Sequence, residues 1–432
     1  MNIKNFIAEL RWRGLVQNMT EGLEEALMEN NTPKRGYIGF DPTAPSLTIG
    51  NFVQIATLRR FQQAGHQPVI LLGGATGRIG DPSGRDTERQ LQTIDTLDNN
   101  IAHQRQQFSK FLDFSEDCPN KALVVNNWDF YKDMNVLTFL RDIGKNITVN
   151  YMLAKDSVSN RLANGISFTE FSYQIIQGYD YQHLHNELGC IVQMGGGDQW
   201  GNITTGLEFI RKSGATSKAH ALCSPLLTKA DGKKFGKSDT GNLWLDPNLT
   251  SPYKFYQYWL GSNISDLDLP KLYRVLSFRT QEEIETLEKE YAEDPITLRR
   301  LLAEELTVLI HSEEALKNVQ YATQVVHNPK LNIDFLKGLD KAVWEAVGTE
   351  VGAFSITQAN LANGINLIDW LVEQGIFSSK GEARKAIQNN ALAVNTEKIT
   401  QPDFQLTADH VLTTGYLLLQ NGKKNKYVVQ VI

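Results

Sequence analysis

Three polar residues, Tyr173, Gln177 and Asp180, recur at helical spacing in the stretch Tyr-Gln-Ile-Ile-Gln-Gly-Tyr-Asp. Positions i, i+4 and i+7 of a helix share one face. A row with a phenol, an amide and a carboxylate is an unusual stripe for an apolar core. It suits a pocket that binds a ligand through hydrogen bonds. A solvated helix face would have the same composition, so the row alone leaves both interpretations open.

Two further stretches have residue types that suit phosphate binding. Residues 36–51 read as a strand, a proline-rich turn and the start of a helix, with Gly39 and Gly50 allowing close approach to the backbone. The unpaired amides at a helix N-terminus attract anions. Much later, residues 233–238 read Lys-Lys-Phe-Gly-Lys-Ser. An ordinary β–α turn and a solvated lysine loop would have these patterns too.

The elements around these stretches alternate between strands and helices, which is typical of an α/β domain with a doubly wound, Rossmann-like parallel sheet. The predicted strands are 37–40, 68–72, 122–126 and 190–194. Ligands bind such sheets beyond the carboxyl ends of the strands. Four loops rich in Gly, Asp or Asn occupy those ends, namely 39–51, 73–89, 126–130 and 195–202. Their coincidence strengthens the prediction of a site there.

The composition changes beyond residue 250, where aromatic and leucine residues at helical spacing predict a helical domain. A smaller α+β domain follows, with two amphipathic helices, a capping box at Ser379 and Glu382, and a hairpin across Asn421-Gly422. The predicted organisation begins with an α/β domain (1–225) that would carry the site, followed by a loop and linker (226–250) and a helical domain (251–330). A connector without assigned structure (331–364) and the α+β domain (365–432) complete it.

Bulk properties narrow the class of protein. The chain is 41% hydrophobic and 21% charged, which is ordinary for a folded domain, and no apolar run reaches membrane-spanning length. The N-terminus lacks the pattern of a signal peptide, and three isolated cysteines suit reduced thiols, so we expect a cytoplasmic location. The net charge of −6 means that a nucleic-acid partner must meet local basic patches. One such patch is Lys380, Arg384 and Lys385, although a solvated helix face would look the same.

The segments Thr48-Ile49-Gly50-Asn51 and Lys234-Phe235-Gly236-Lys237-Ser238 together resemble the HIGH and KMSKS motifs of class I aminoacyl-tRNA synthetases. The sequence around and between them is similar to the bacterial tyrosyl enzymes. The resemblance implies activation of L-tyrosine by ATP to tyrosyl-adenylate and pyrophosphate, then transfer to the 3′-terminal adenosine of tRNA(Tyr). It implies a homodimer, Mg²⁺ carried by the ATP, no metal site and no prosthetic group. The segment 365–432 resembles the S-four-like RNA-binding fold, which favours RNA binding by its basic patch.

The resemblance also assigns residues position by position. The tyrosine phenol would bind Tyr37 and Asp180, and its ammonium group Asp81, Tyr173 and Gln177. Gln199 would lie near the tyrosine carboxylate or the α-phosphate, and Asn127 and Trp128 would line the same site. ATP would contact Gly39, Asp41, Thr48, Gly50, Gly196, Asp198 and Lys237. The reacting phosphates would be stabilised by Thr43, Asn51, Arg85, Arg89, Lys234 and Lys237.

One position departs from the family pattern, because Thr48 stands where the first motif has histidine. Threonine is shorter and never cationic, and losing one phosphate donor costs a few kcal/mol of transition-state stabilisation. We consider Arg78 as a compensating cation. Two alternatives follow: a non-catalytic RNA-binding relative, with Thr48 as the lesion, or another nucleotidyltransferase of the same superfamily. The intact lysine loop argues against the first alternative, and the row at 173–180 argues against the second.

Overall fold

The computed structural model describes residues 3–84, 87–162, 165–230, 232, 235–238, 241–262, 264–422 and 424–432, without the side chains of Asn31, Lys237 and Ser238. The chain divides into two compact units. The first unit contains Met1–Thr250 and Tyr258–Leu302, and the second contains Ser251–Gln257 and Ala303–Ile432. Among the described residues, no helix combines the length and apolarity that a membrane span needs.

The first unit is built on a six-stranded sheet. Its strands are β1 (Asn18–Met19), β2 (Arg35–Phe40), β3 (Gln67–Leu72), β4 (Leu123–Asn126), β5 (Cys190–Gly196) and β6 (His220–Ser224). Their order is β1-β6-β5-β2-β3-β4, and every pair except β1 with β6 is parallel. The predicted α/β class with a Rossmann-like parallel sheet is therefore confirmed. The sequence did not predict β1 or β6, because β1 has two residues and β6 has no β-branched residue.

Helices surround this sheet and continue beyond it. Those of the first unit are α1 (Phe6–Trp12), α2 (Leu23–Met28), α3 (Ile49–Gln63), α4 (Ile94–Phe108), α5 (Trp128–Tyr131), α6 (Val136–Thr138), α7 (Val149–Leu153), α8 (Asp156–Leu162), α9 (Phe168–Leu188), α10 (Trp200–Lys212), α12 (Leu269–Leu276) and α13 (Gln281–Glu290). Two further helices, α11 (Pro252–Leu260) and α14 (Pro295–Ile310), contain residues of both units. Along the chain, β6 is followed by a two-stranded ribbon, β7 (Lys237–Ser238) with β8 (Gly241–Asn242), and then by α11. The helical character predicted beyond residue 250 is present.

Helix α9 is the element that carries the polar row, and its position is fixed at several points. Ser167 caps its first turn by accepting a hydrogen bond from the amide of Glu170 at 3.2 Å. The buried carboxylate of Glu170 pairs with the guanidinium of Arg161 at 2.8 Å. Glycines let α9 approach α10 closely, since a Cβ on Gly178 would lie 2.9 Å from the ring of Phe209 and one on Gly206 would lie 2.7 Å from Tyr181 Cβ. The row on α9 is thus held rigidly.

The second unit combines helices with small sheets. Its elements are α15 (Glu313–His327), α16 (Ile333–Lys337), α17 (Lys341–Val351), β9 (Ala353–Ile356), α18 (Gln358–Asn363), β10 (Ile365–Asn366), α19 (Leu367–Glu373), α20 (Lys380–Gln388), β11 (Leu392–Val394), β12 (Glu397–Lys398), β13 (Gln405–Leu406), β14 (Tyr416–Asn421) and β15 (Asn425–Val431). The larger sheet has the order β12-β11-β14-β15-β9. The predicted hairpin is present as β14 with β15.

Two details of this unit differ from what the sequence indicated. The segment 331–364, to which the sequence assigns no structure, forms α16, α17, β9 and α18, and β9 pairs in parallel with β15. The predicted capping box at α20 is only half present. Ser379 accepts from the amide of Glu382, but the carboxylate of Glu382 accepts from Ser378 rather than from Ser379.

Candidate active site

The first motif begins helix α3 and is organised by a reciprocal cap. The amide and the hydroxyl of Thr48 both donate to Asn51 Oδ1, at 2.9 Å and 2.8 Å. Thr48 Oγ1 accepts in turn from the amide of Asn51 at 3.4 Å. This arrangement satisfies the first turn of the helix. Because the side-chain oxygen of Asn51 is used by the cap, its NH₂ group is the end that can donate to a ligand.

The second motif lies against the first. The backbone amide of Leu243 donates to the carbonyl of Gly236 at 2.9 Å, and the amide of Ile49 donates to the carbonyl of Leu243 at 3.0 Å. Gly236 has a φ of 85°, and a Cβ there would lie 2.6 Å from Ile49 Cγ2. Glycine is therefore required by both its conformation and its neighbour. Of the predicted phosphate-binding cations, Arg85 and Lys234 lie outside the described residues, and only the backbone of Lys237 is described.

A cavity of about 450 Å³ opens at the carboxyl ends of the central strands, beside both motifs. Fifteen of the predicted residues line it: Tyr37, Gly39, Asp41, Thr43, Thr48, Gly50, Asn51, Asp81, Arg89, Tyr173, Gln177, Asp180, Gly196, Asp198 and Gln199. Asn127 and Trp128, which the resemblance placed in the same site, are not among its lining residues. Residues far apart in the chain thus meet in one place, as expected for the carboxyl edge of a parallel sheet.

One end of the cavity pairs a buried carboxylate with a buried phenol. Asp180 is 1% exposed and accepts from Asn127 Nδ2 at 2.9 Å and from the hydroxyl of Tyr131 at 2.7 Å. Burial raises the pKa of Asp180 to about 7. The hydroxyl of Tyr37 is buried and has no hydrogen-bond partner among the described residues. Burial, and then the charge of Asp180, raises the pKa of Tyr37 well above its usual value. A ligand hydroxyl at this end would satisfy both groups.

Further into the cavity, a second carboxylate holds Tyr173. The hydroxyl of Tyr173 donates to Asp41 Oδ2 at 3.0 Å, and Thr76 Oγ1 donates to Asp41 Oδ1 at 2.7 Å. Burial raises the pKa of Asp41 to about 6. The sequence predicts contacts of Asp41 with ATP and of Tyr173 with an ammonium group, and it did not identify their mutual hydrogen bond. Thr76 has no sequence signal beyond its place in a glycine-rich loop.

A third carboxylate, Asp81, ends a chain of amides. Gln199 Nε2 donates to Asp81 Oδ2 at 2.7 Å, and Gln177 Nε2 donates to Gln199 Oε1 at 3.2 Å. The oxygen of Gln177 is buried and has no partner among the described residues. Asn202 adds a donor to Gln199 Oε1 at 3.3 Å. With four carboxylates (Asp41, Asp81, Asp180 and Asp198) and an unpaired amide oxygen lining it, the cavity suits a ligand that carries a cation.

The other predicted residues near the cavity have varied surroundings. A Cβ on Gly196 would lie 2.7 Å from Asp198 Oδ1, so this glycine makes room for the carboxylate. Arg89 Nε donates to the carbonyl of Asp81 at 3.4 Å. Arg78 lies elsewhere: its guanidinium stacks 4.0 Å from the ring centre of Trp128 and donates to the carbonyl of Gly74. It is not positioned to compensate for Thr48.

The predicted RNA-binding residues lie in the second unit, on the exposed face of α20, opposite the buried side chains of Ala383 and Ile387. They are Lys380, Arg384 and Lys385. The ammonium group of Lys380 pairs with Asp369 at 2.9 Å. Among the described residues, no cluster of three or more His, Cys, Asp or Glu side chains has the arrangement of a metal site.

The raised pKa of Asp180 predicts a pH-dependent effect on stability. When the pKa of a carboxyl group is higher in the folded state than in the unfolded state, the folded state loses stability as the pH rises from the lower pKa to the higher one. For Asp180 the higher pKa is about 7. Asp180→Asn removes this effect and still pairs with Asn127 and Tyr131. We therefore expect the variant to have a higher free energy of unfolding than the wild type. The difference between the two proteins should be larger at pH 8 than at pH 5 by on the order of 2 kcal/mol.

Urea denaturation followed by circular dichroism at both pH values measures this difference. Asn127→Ala serves as the control, because it removes a donor to the ionised carboxylate and should lower stability more at pH 8 than at pH 5. An advantage of Asp180→Asn that is equal at the two pH values would contradict the raised pKa.

Comparisons with known proteins agree with this geometry. Residues 29–328 match the family described as tRNA synthetases class I (W and Y), and residues 349–429 match the tyrosine–tRNA ligase SYY-like C-terminal domain. Tyrosine–tRNA ligases of Bacteroides fragilis and Porphyromonas gingivalis are 47% and 48% identical, each over 98% of this chain and 99% of the relative. That of Flavobacterium johnsoniae is 46% identical over the full length of both chains.

Solved structures show the same similarity over part of the chain. A C-terminally truncated mitochondrial tyrosyl-tRNA synthetase of Aspergillus nidulans is 28% identical with a TM-score of 0.65, and the alignment covers 75% of this chain and 94% of that one. The synthetase of Archaeoglobus fulgidus, complexed with L-tyrosine, is 18% identical with a TM-score of 0.54 and covers 73% of this chain and 99% of its own, so it shares the fold. Given the cavity and the full-length identity, the chain belongs to the tyrosine–tRNA ligase family of class I tRNA synthetases.

Proposed function

We propose that the cavity at the carboxyl edge of the sheet binds L-tyrosine and ATP and forms tyrosyl-adenylate, which the chain then uses to charge tRNA(Tyr). One observation carries the assignment of the substrate: a buried carboxylate and an unpaired buried phenol, Asp180 and Tyr37, lie at one end of a cavity whose other polar groups suit a cation. L-Tyrosine has a hydroxyl at one end and an ammonium group at the other.

In this pose the tyrosine phenol donates to Asp180 and accepts from Tyr37. Phenylalanine would leave both groups buried and unpaired, which costs more free energy than the lost contact alone. The ammonium group donates to Asp81 and to the oxygen of Gln177, with Tyr173 as its third neighbour. Gln199, which already donates to Asp81, lies close to the tyrosine carboxylate or the α-phosphate.

ATP occupies the part of the cavity beside the two motifs. The carboxylate of Asp198 accepts from the ribose hydroxyls, and Gly196 lets the ribose approach. The nucleotide also contacts Gly39, Asp41, Thr48, Gly50 and Lys237. Phosphate charge is met by Thr43, the NH₂ group of Asn51, Arg85, Arg89, Lys234 and Lys237. Mg²⁺ arrives with the nucleotide as part of the substrate.

The reaction proceeds in two displacements. The tyrosine carboxylate attacks the α-phosphorus of ATP, the bond to the β-phosphate breaks, and pyrophosphate leaves with the electron pair. The nucleophile is already ionised, so this step depends on positioning and on positive charge near the phosphates. A hydroxyl of the 3′-terminal adenosine of tRNA then attacks the tyrosyl carbonyl, loses its proton, and AMP leaves.

The departure at Thr48 is compatible with this chemistry. Thr48 is a capping residue that orients Asn51, so its hydroxyl supports the motif through the helix start rather than by its own charge. The geometry gives no support to Arg78 as a substitute cation, since its guanidinium is engaged with Trp128 and Gly74. Phosphate stabilisation then rests on the remaining donors.

Each part of the chain has an assigned role, and the parts beyond the sheet bind RNA. We assign catalysis to 1–225, the phosphate-binding loop and linker to 226–250, anticodon binding to 251–330, connection to 331–364 and an S-four-like RNA-binding domain to 365–432. The exposed basic residues Lys380, Arg384 and Lys385 would contact the phosphate backbone of tRNA. The free thiols of all three cysteines suit the cytoplasm, where tRNA is charged.

The exposed apolar side chains of one segment support a homodimer. Val136, Leu137, Leu140 and Val149, all within residues 136–149 of the first unit, are 65%, 71%, 51% and 60% exposed. Several large exposed apolar side chains in one segment are typical of interaction surfaces. A second copy of this chain is the occupant that the family resemblance implies.

Pyrophosphate exchange into ATP without tRNA tests the proposed reaction. We expect rapid exchange with tyrosine and only slow exchange with phenylalanine or tryptophan, because only tyrosine satisfies Asp180 and Tyr37. Asp180→Asn should lower kcat/KM for tyrosine at least a hundredfold, since an amide cannot offer an anionic acceptor. Binding of tRNA without exchange by any amino acid would instead indicate a non-catalytic RNA-binding relative.

Sedimentation velocity tests the homodimer. We expect a dimer for the wild type and a shift toward monomer for Leu137→Asp, because a buried carboxylate would face an apolar partner surface. Leu267→Asp is the matched control, since Leu267 is 84% exposed in another part of the first unit and should leave the dimer intact. A monomeric wild type at micromolar concentration would exclude this assembly.

A further inference from the structure

Among the described residues that donate to Asp180, Tyr131, at the end of α5, is the one to which neither the family resemblance nor the proposed function assigns a role. Its hydroxyl lies 2.7 Å from Asp180 Oδ1 and 2.8 Å from the backbone carbonyl of Ile176. Its ring packs edge to face on Tyr179, with centroids 5.8 Å apart. The cavity is lined by Asp180 but not by Tyr131, so Tyr131 contacts the carboxylate from behind.

The hydroxyl of Tyr131 has one proton and two acceptors within reach. When Asp180 is ionised, the proton is drawn to the carboxylate, because a hydrogen bond to an anion is the stronger one. When Asp180 is protonated, its O–H donates to the oxygen of Tyr131, which then donates to the carbonyl of Ile176. Both protonation states are therefore satisfied from behind, and only the ionised state offers the cavity an anionic acceptor.

We propose that Tyr131 is a positioning residue that determines specificity for a hydroxyl-bearing amino acid, by holding the Asp180 carboxylate ionised and turned toward the substrate phenol. The inference rests on the proposed function, in which that phenol donates to Asp180. With Asn127 alone, Oδ1 of the carboxylate would have no donor among the residues that the structure describes. A carboxylate with one fewer donor is harder to keep ionised when it is buried.

The other groups that face Asp180 do not replace this donor. Tyr37 on β2 is assigned to the substrate hydroxyl, and Tyr173 on α9 donates to Asp41. The charge of Asp41 opposes ionisation of Asp180, as burial does, whereas the hydrogen bonds from Asn127 and Tyr131 favour it and hold its pKa down to about 7. Removing the hydroxyl of Tyr131 should therefore leave Asp180 more protonated at neutral pH.

The test is Tyr131→Phe in tyrosine-dependent pyrophosphate exchange, with kcat/KM measured from pH 6 to pH 8.5. We expect a loss of about tenfold at pH 7 that shrinks to less than threefold at pH 8.5, as the carboxylate ionises. The activity with phenylalanine should not fall, so discrimination against phenylalanine at pH 7 weakens by about tenfold. Tyr179→Phe removes a second hydroxyl from a ring that packs on Tyr131, and it should match the wild type.

Other outcomes are informative in different ways. An equal loss at every pH, or no change in discrimination, would mean that Tyr131 has only a packing role and would overturn the inference. A wild type that shows no exchange with tyrosine would instead reject the proposed function.

If Tyr131→Phe does not fold, 3-fluorotyrosine at position 131 keeps the ring and the oxygen and is a stronger donor. Its pH profile should move to lower pH, and an unmoved profile would contradict the proposal.

Discussion

The site depends on a carboxylate that the fold removes from water and then surrounds with donors. Asp180 is nearly inaccessible, and burial disfavours its charged form strongly enough to raise its pKa to about 7. The hydrogen bonds from Asn127 and Tyr131 each offset part of the cost of burying the charged carboxylate. A ligand hydroxyl would supply a further donor. The unliganded protein therefore contains a charge that its own donors stabilise only in part, and a ligand that adds a donor would gain free energy from completing them.

The rest of the first unit keeps that carboxylate in place. Helix α9 cannot shift easily, because it is pinned by the buried pair of Arg161 with Glu170 and by close contact with α10 at Gly178 and Gly206. Its polar face is thereby directed at the edge of the sheet where β2, β3 and β5 end. The same edge carries the two signature motifs, whose backbones are joined by the hydrogen bonds of Leu243 with Gly236 and Ile49. One edge thus collects the groups that the proposed function assigns to a hydroxyl, a cation and phosphates.

Sequence patterns predicted much of this because they are local. The i, i+4, i+7 row on α9 and the polar loops at the strand ends follow from helix and sheet periodicity, and the structure brings them into one cavity. The contacts of Tyr131 with Asp180 and of Tyr173 with Asp41 were not predictable, because each depends on how separate elements pack. The parallel pairing of β9 with β15 is non-local in the same way. The cap between Thr48 and Asn51 is local, since threonine is a favoured N-cap residue and Asn51 stands at the N3 position of α3.

The most direct test of this account is the number of protons released when tyrosine binds to the protein without ATP. Isothermal titration calorimetry in buffers of different ionisation enthalpy measures it. If Asp180 has a pKa of about 7 in the free protein and becomes fully ionised under the substrate phenol, the wild type should release roughly half a proton at pH 7 and Asp180→Asn close to none. Equal proton release by the two proteins, or none by the wild type, would contradict the claim that a buried carboxylate with a raised pKa recognises the substrate.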